Sequence, residues 1–474
     1  GYMSSVDPRL HFGLGQSTMI DSLLVEWPSG NQTQLKNIPV NQTLKLKEEG
    51  ATFANPSSLQ DFETALQKVE IALPFLHQES EFIDFDRDRL RFWSISDEGP
   101  KAALADVNGD GTTDVFIPGA KGKTSRMYVQ KGNDFVETNR NLFAQDSLSE
   151  DVVAHFFDAD QDGDVDLWVG AGGVEFADYS LPFQDRLYLN DGKGAFSRSP
   201  QSFSLVPTSF VLTEDFDQDG DLDVFTGTRA LPFGYGLPVG LIVYQNDGAG
   251  NFTDITSQWN TAFSKLGMLT SGAFADLNED GRNELILAGE WMGIHVFSYE
   301  RGQWIENSSA FGLDNTRGLW NSILVQDLNG DGLPDILAGN RGLNFRFKTS
   351  LESQMALVVN DFDQNGALDP ILAQRQNGKH IPWVMKNSLL RQIPSLKKQL
   401  VTYASYKDKA LEELFPEAIW ANSLILPLDR LQTSLWINQG KGHLVEEFLP
   451  SEVQSAPIYA SALISRPGKS PLLI

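Results

Sequence analysis

Short apolar runs alternate with dense polar loops along most of the chain, and the same order keeps returning. "KAALA" and "VFIPG" flank a polar loop that begins at Asp106, "SFVLTE" and "VFTGT" flank one at Asp215, and "NSILVQ" and "ILAGN" flank one at Asp327. Brief runs rich in β-branched and aromatic residues, bounded by Asn, Asp and Gly, predict strands. Each unit therefore reads strand, loop, strand. "RLYLNDGKGAFS" from Arg186, "LIVYQNDGAGNFTD" from Leu241 and "SLWINQGKGHLVE" from Ser434 form a second recurring element, a hairpin with an Asn/Gly turn. Two strands and a hairpin make four strands, which is one blade of a β-propeller.

The polar loops share a spacing rather than a sequence. Six of them occur: "DVNGDGTTD", "DADQDGDVD", "DFDQDGDLD", "DLNEDGRNE", "DLNGDGLPD" and "DFDQNGALD". Positions 1, 3, 5 and 9 are Asp106, Asn108, Asp110 and Asp114 in the first loop, then Asp158, Asp160, Asp162 and Asp166 in the second. They are Asp215, Asp217, Asp219 and Asp223 in the third and Asp276, Asn278, Asp280 and Glu284 in the fourth. The fifth has Asp327, Asn329, Asp331 and Asp335, and the sixth Asp361, Asp363, Asn365 and Asp369. Calcium takes six to eight oxygens at roughly 2.3 to 2.6 Å, so four side chains and one backbone carbonyl at position 7 nearly fill its shell. Position 7 holds Thr112, Asp164, Asp221, Arg282, Leu333 and Ala367, which share no chemistry, as expected where the backbone ligates. Glycine at position 6 permits the sharp turn. An EF-hand would need a bidentate Glu at position 12 and flanking helices; here position 12 is Ile117, Val169, Thr226, Leu287, Ala338 or Leu372. Up to six calcium ions are implied. The second and third loops, richest in aspartate, are expected to bind most tightly. Arg282 and Asn365 are expected to weaken the fourth and sixth, with the first and fifth between.

Successive loops start 52, 57, 61, 51 and 34 residues apart, a period that belongs to repeat architectures. The C-terminal "ASALISRPGKSPLLI" keeps the rhythm without the carboxylates and reads as a seventh, metal-free repeat. The predicted fold is all-β: a propeller of seven blades, or six plus a partial one, closed if strands in "EFIDFDRDRLRFWSIS", residues 81 to 96, supply an outer edge. It spans residues 81–474, with a helical insertion at about 385–415 whose Leu, Tyr and Phe spacing predicts helices packed over a blade, or a platform for a partner. Residues 1–50 predict a small antiparallel β unit around the "PSGNQ" turn, and 51–80 a partly helical linker.

Charge and composition narrow the reading. The formal net charge is −26, and the six loops account for −22 of it, so the rest of the protein is nearly balanced and nucleic-acid binding is not expected. There is no cysteine, which removes disulfides, zinc-thiolate sites and a thiol nucleophile. No apolar run reaches membrane-spanning length. Two carboxylates about 4 Å apart repel by roughly 4 kcal/mol at an effective dielectric of 20, so metal-free loops are expected to be strained. Open sites of this kind need calcium near the millimolar range, which points outside the cytoplasm. The opening "GYMSSVDPRLHFGLG" lacks a signal core and is expected to be an internal piece of a longer protein.

Loops and hairpins together resemble the VCBS or FG-GAP repeats of integrin-alpha-like propellers, with "VFIPGA" and "LWVGAG" as the nearest forms of the Phe-Gly, Gly-Ala-Pro signature. "HFGLGQSTMIDSLLVEWPSG" resembles the ASPIC and UnbV domain that accompanies such repeats in bacterial envelope proteins. The resemblance implies an exported, calcium-binding, non-enzymatic recognition or adhesion protein of the extracellular space, the periplasm or the outer membrane.

Strand alternation places the calcium loops at one face of a propeller and the loops after each second strand at the other. The second group is rich in Gly, aromatics and Arg. Arg229, Phe233, Tyr235, Trp291, Asn340, Arg341 and Asn344 are the candidates to bind a glycan or protein partner, with the aromatics serving as channel-filling core in the alternative reading. A second hypothesis is a polysaccharide lyase or esterase. No GxSxG or HExxH motif supports it, and His77 with Glu79 is the one local acid/base pair. A third is a structural subunit of an envelope assembly.

Overall fold

The computed structural model describes residues 10, 12–27, 31–48, 52–53, 73–97, 99–259, 261–466 and 469–474. The chain divides into two units, 1–70 and 71–474. In the first, the alternating residues of Met19–Glu26 pair antiparallel with Asn31–Pro39, from Met19 opposite Pro39 to Glu26 opposite Gln32. Thr52–Phe53 adds a third strand. This is the predicted β unit. The partly helical reading of the linker falls on residues 54–72, outside those described.

The second unit is all-β and antiparallel, with few and short helices. Sheet I contains Ala103–Ala105, Asp114–Ile117, Arg126–Lys131 and Asp134–Thr138, and sheet II contains Asp151–Phe157, Asp166–Ala171, Arg186–Leu189 and Ser197–Arg198. Sheet III follows with Phe210–Glu214, Asp223–Gly227, Leu241–Gln245 and Thr253–Asp254. Sheet IV has Met268–Ala275, Glu284–Met292, His295–Glu300 and Gln303–Glu306, with Gly318–Leu319 added beside its second strand. The first strands of sheets I to IV, and then Ser322–Gln326 of sheet V, lie side by side in that order. Four-stranded sheets in such succession are consistent with a propeller.

Second strands such as Asp166–Ala171, Asp223–Gly227 and Glu284–Met292 are buried at every position, which explains their continuous apolar character. Aromatic rings lock one sheet to the next. Trp168 of sheet II packs against Phe203 and Tyr244 at ring-centroid distances of 4.3 and 5.6 Å, and Phe225 of sheet III meets Phe274 of sheet IV at 5.0 Å. Removing such a ring, as in Trp168→Ala, costs roughly 3–5 kcal/mol.

Three features add to or correct the sequence reading. The hairpin Ser434–Asn438 and Leu444–Glu447 follows the sixth loop in the chain, yet it pairs with Asp335–Gly339 and completes sheet V. Between the halves of sheet V the chain builds sheet VI, in the order Lys379–Pro382, Asp369–Gln376, Met355–Asn360, Leu424–Pro427. Sheet VI is therefore an insertion in sheet V, and the described residues of this unit form six sheets of four or five strands and one of two. Its Met355, Leu357 and Val359 pack on Tyr235, Met268 and Trp291, while Val358, Ile371 and Ala373 pack on the helical segment. Second, residues 81–96 supply no strand. They make a helical turn, Asp84–Arg87, and a loop in which buried Asp84 accepts from Arg91, Ser94 and Ser96. Five internal bonds to one carboxylate, two of them from the Ile95 and Ser96 N–H groups, favour the loop over an edge strand. Third, residues 73–80 are not a free linker: Tyr128 Oη donates to the Pro74 carbonyl at 3.2 Å and Lys123 Nζ to Gln78 at 3.2 Å.

The predicted helical insertion is present as Lys386–Gln392, a 3₁₀ turn Pro394–Lys398, Leu411–Leu414 and Glu417–Trp420. Pro394 and Pro416 keep the pieces short, since proline cannot donate within a helix. The last element is a two-stranded sheet, Leu463–Arg466 with Lys469–Leu473.

Candidate metal centres

All six loops join the first to the second strand of a sheet and fold in one way. The position-1 carboxylate accepts from the glycine N–H at position 6, at 2.7 Å for Asp106 and Gly111 and at 3.1 Å for Asp158 and Gly163. The oxygen at position 5 accepts from the N–H at position 7, at 3.2 Å for Asp162 and Asp164 and at 2.7 Å for Asn365 and Ala367. Position 6 has positive φ throughout, between 82° at Gly111 and 99° at Gly220, where any side chain would be strained. Position 4 is also left-handed, occupied by Gly109 and Gly330 but by Gln161, Gln218, Glu279 and Gln364 elsewhere.

The position-9 acid begins the second strand, and it is buried in every loop. Asp166 shows the pattern: one oxygen accepts from Ala159 N–H at 2.9 Å and the other from Asn190 N–H at 2.8 Å. Asp114 is held likewise by Val107 and Gln130, and Asp335 by Leu328 and Asn438. In sheet VI a side chain from the helical insertion takes the second role, Gln392 Nε2 donating to Asp369 at 2.9 Å.

Beyond this shared frame the loops fall into two groups. Carboxylate oxygens of Asp158, Asp160 and Asp166, of Asp215, Asp217 and Asp219, and of Asp361, Asp363 and Asp369 converge to within 4.8 Å of one another. Oxygens on opposite sides of a calcium ion stand about 5 Å apart, so this spacing fits the ion. The same loops contain buried oxygens that receive no hydrogen bond: Oδ1 of Asp158, Asp164, Asp217, Asp221 and Asp363, and Oδ2 of Asp223. A buried acceptor without a donor calls for a partner such as a water or an ion, and these clusters could hold a metal. Among the described residues, the loops at Asp106, Asp276 and Asp327 contain no such oxygen. All three carry Asn at position 3, and in two of them its amide serves as an internal donor: Asn278 Nδ2 reaches Asp280 at 3.1 Å and Glu284 at 2.7 Å, and Asn329 Nδ2 reaches Asp331 at 2.9 Å. The sixth loop shares this feature with the second and third, because its Asn lies at position 5 and leaves Asp363 Oδ1 unsatisfied.

Electrostatics follow from this packing. Burial, reinforced by neighbouring carboxylates, raises Asp223 to about 8 and Asp166, Asp221 and Asp369 to about 6, with backbone N–H groups opposing the rise at all but Asp221. Glu284 rises to about 7 for the same reason. A divalent cation would remove the repulsion and displace the protons. Of the thirty predicted ligand positions, the position-7 residues would act through their carbonyls, while Asp164 and Asp221 also bring orphaned carboxylate oxygens.

Three hairpin asparagines clip sheets II, III and V to their neighbours, a role that sequence reading missed although the "NDG" and "NQG" turns marked the residues. Asn190 Nδ2 donates to the Val107 carbonyl of the first loop at 2.8 Å, Asn246 Nδ2 to Ala159 of the second at 2.9 Å and Asn438 Nδ2 to Leu277 of the fourth at 2.8 Å.

Most of the candidate partner-binding residues converge, but inside the protein. Glu290, which is fully buried, accepts from Arg229 at 3.0 Å, Arg341 at 2.8 Å and Tyr235 at 2.9 Å, and Trp291 Nε1 donates to Tyr235 Oη at 3.1 Å. Trp93 stacks on Trp291, and the Arg341 guanidinium lies 5.0 Å over Trp93. Tyr235 and Trp291 pack with sheet VI and residues 82–95, and Asn340 and Arg341 are buried beside Thr433 and Tyr459, so these four form core rather than an open face. The cavity beside Arg229 holds about 10 Å³, room for a single water. Phe233 and Asn344 remain exposed. Burial would push Glu290 up, yet the two arginines hold it down at about 2. The His77 and Glu79 pair is formed at 2.5 Å, with His77 against Phe75.

Comparison with known families agrees with this construction. Residues 1–53 match the ASPIC and UnbV family, and residues 106–169, 215–287 and 276–338 match the FG-GAP-like repeat. Each repeat match runs from the first aspartate of one loop to position 12 of the next. No curated protein matches the chain.

Proposed function

We propose that this chain, an FG-GAP-repeat protein with an ASPIC and UnbV segment, is a calcium-loaded and non-enzymatic recognition module of the cell exterior or envelope, with a glycan or an exported protein as its partner. The observation that carries the reading is the set of orphaned carboxylate oxygens in the loops at Asp158, Asp215 and Asp361. Bound calcium would neutralise these oxygens. The position-9 acids would then anchor the start of each second strand, with the hairpin asparagines passing the constraint to the next sheet. Rigid sheets preorganise the loops at their other ends and lower the entropy cost of binding a partner there. Exposed Phe233 and Asn344 lie in those loops. FG-GAP repeats support an extracellular type of protein. Among the described residues no helix is long and apolar enough to cross a membrane.

Two measurements test the reading. Calorimetric titration of the metal-free chain should find at least three calcium sites, and a glycan panel read in millimolar calcium and again in chelator should give calcium-dependent capture of one sugar class. Absence of calcium uptake would overturn the metal assignment. Polysaccharide turnover that disappears in His77→Ala would overturn the non-enzymatic part.

A further inference from the structure

The helical insertion differs in charge from everything around it. Residues 383–409 hold six basic residues and one acidic residue in a chain of net charge −26. Their apolar side is committed: Leu389, Ile393, Leu396 and Leu400 are buried against sheet VI. The opposite side carries Met385, Arg391, Lys397, Lys398, Val401 and Tyr403, all exposed. Met385, Val401 and Tyr403 are 69%, 73% and 64% exposed and stand among these cations. Nearby Lys379 and Lys409 share Glu413 as their ion-pair partner. Arg391, Lys397 and Lys398 have no acidic partner among the described residues. The surface is also braced. Lys386 Nζ donates to the Leu400 carbonyl at 3.2 Å and lies 4.9 Å over the Tyr403 ring, which fixes the 400–403 turn beside the start of the helix.

The geometry points to a docking surface for an anionic phospholipid bilayer on this side of the insertion. Charge complementarity supplies the attraction, since clustered Lys and Arg accumulate at anionic headgroups within about a Debye length. Aliphatic side chains standing among those cations select a bilayer over a soluble polyanion. Met385 and Val401 would enter the boundary between headgroups and acyl chains while the lysines stay at the phosphates, and Tyr403 suits the same depth. This goes beyond calcium-dependent recognition and does not require it.

Cosedimentation with vesicles tests the assignment, using phosphatidylcholine alone and phosphatidylcholine with about one third phosphatidylglycerol. Both are run with calcium and with chelator. The chain is expected to bind the anionic vesicles only, and Lys397→Glu with Lys398→Glu to lower partition by about tenfold or more. Val401→Glu should lower it as well with the lysines intact. Calcium bridging through the acidic loops would give the reverse result, since added carboxylates would then strengthen binding. Equal binding to neutral vesicles, or an unchanged partition for the charge-reversed variant, would overturn the proposal. So would retention on an anionic polysaccharide through the same lysines without vesicle binding.

Discussion

Strand Glu284–Met292 buries a glutamate toward each end, and the two are electrostatic opposites. Glu284 is raised to about 7 and Glu290 is depressed to about 2, although six residues, about 20 Å of extended chain, separate them. Burial pushes both upward. At Glu284 the neighbours are Asp276 and Asp280, which add to the push. At Glu290 they are Arg229 and Arg341, which reverse it. At Glu290 the chain itself supplies the opposite charge, and at Glu284 it supplies none. A buried carboxylate by itself says little. The sign of its nearest neighbours decides whether it is structure or a site.

Breaking the incomplete end should have the largest effect. Chelation is expected to lower Tm by about 10 °C or more in a calorimetric scan, because three sites at 100-fold saturation contribute about 2.7 kcal/mol each. An unchanged Tm would mean that the orphaned oxygens are not a calcium site. Breaking the completed end comes next: Glu290→Gln leaves two buried guanidiniums facing each other and should cost about 3–5 kcal/mol by denaturant unfolding, with or without calcium.

Asp217→Ala sharpens the contrast. Its calcium-dependent stabilisation should fall by about 2–3 kcal/mol, while in chelator the variant should equal or exceed the parent, since one repelling carboxylate is gone. The pH dependence should also differ between the ends. In chelator, folded Asp223 keeps its proton up to about 8 while the unfolded chain releases it near 4. Metal-free stability is therefore fullest below about pH 4 for that group and is lost as pH rises toward 8. Glu290 contributes the reverse, stability present above its unfolded value and lost as pH falls toward 2. Unfolding curves at pH 5 and pH 8, with and without calcium, check this, and calcium affinity should be higher at pH 8. The smallest effect is expected from Asn278→Asp. It removes the internal donor of the fourth loop and should increase the calcium dependence of stability by about 1 kcal/mol.

The loops were legible because their geometry is local. Glycine at position 6 and the acceptors at positions 1 and 5 act within nine residues, and those bonds form in all six loops. The division between the loop at Asp276 and the loop at Asp215 was less legible. It depends on what the position-3 side chain can donate once neighbouring carboxylates are buried beside it. Trp291 and Arg341 illustrate a harder limit. As sequence they are an aromatic and a cation in glycine-rich loops, equally suited to an open face or to a core, and only tertiary packing chose between these.

By itself the sequence determined the strand and loop rhythm, the chelating turn with its left-handed glycine, the N-terminal hairpin and the helical character of the insertion. Each of these is set by residues within one or two turns of chain, where sterics and hydrogen bonding act directly. Tertiary structure alone decided that the hairpin at Ser434 pairs with Asp335–Gly339, that sheet VI enters as an insertion, and that Asn190, Asn246 and Asn438 fasten one sheet to the next. The physical reason is that every repeat presents the same edge and the same turn. Strand pairing is then chosen by which side chains can be buried together, and that energy exists only when the whole set of sheets has assembled.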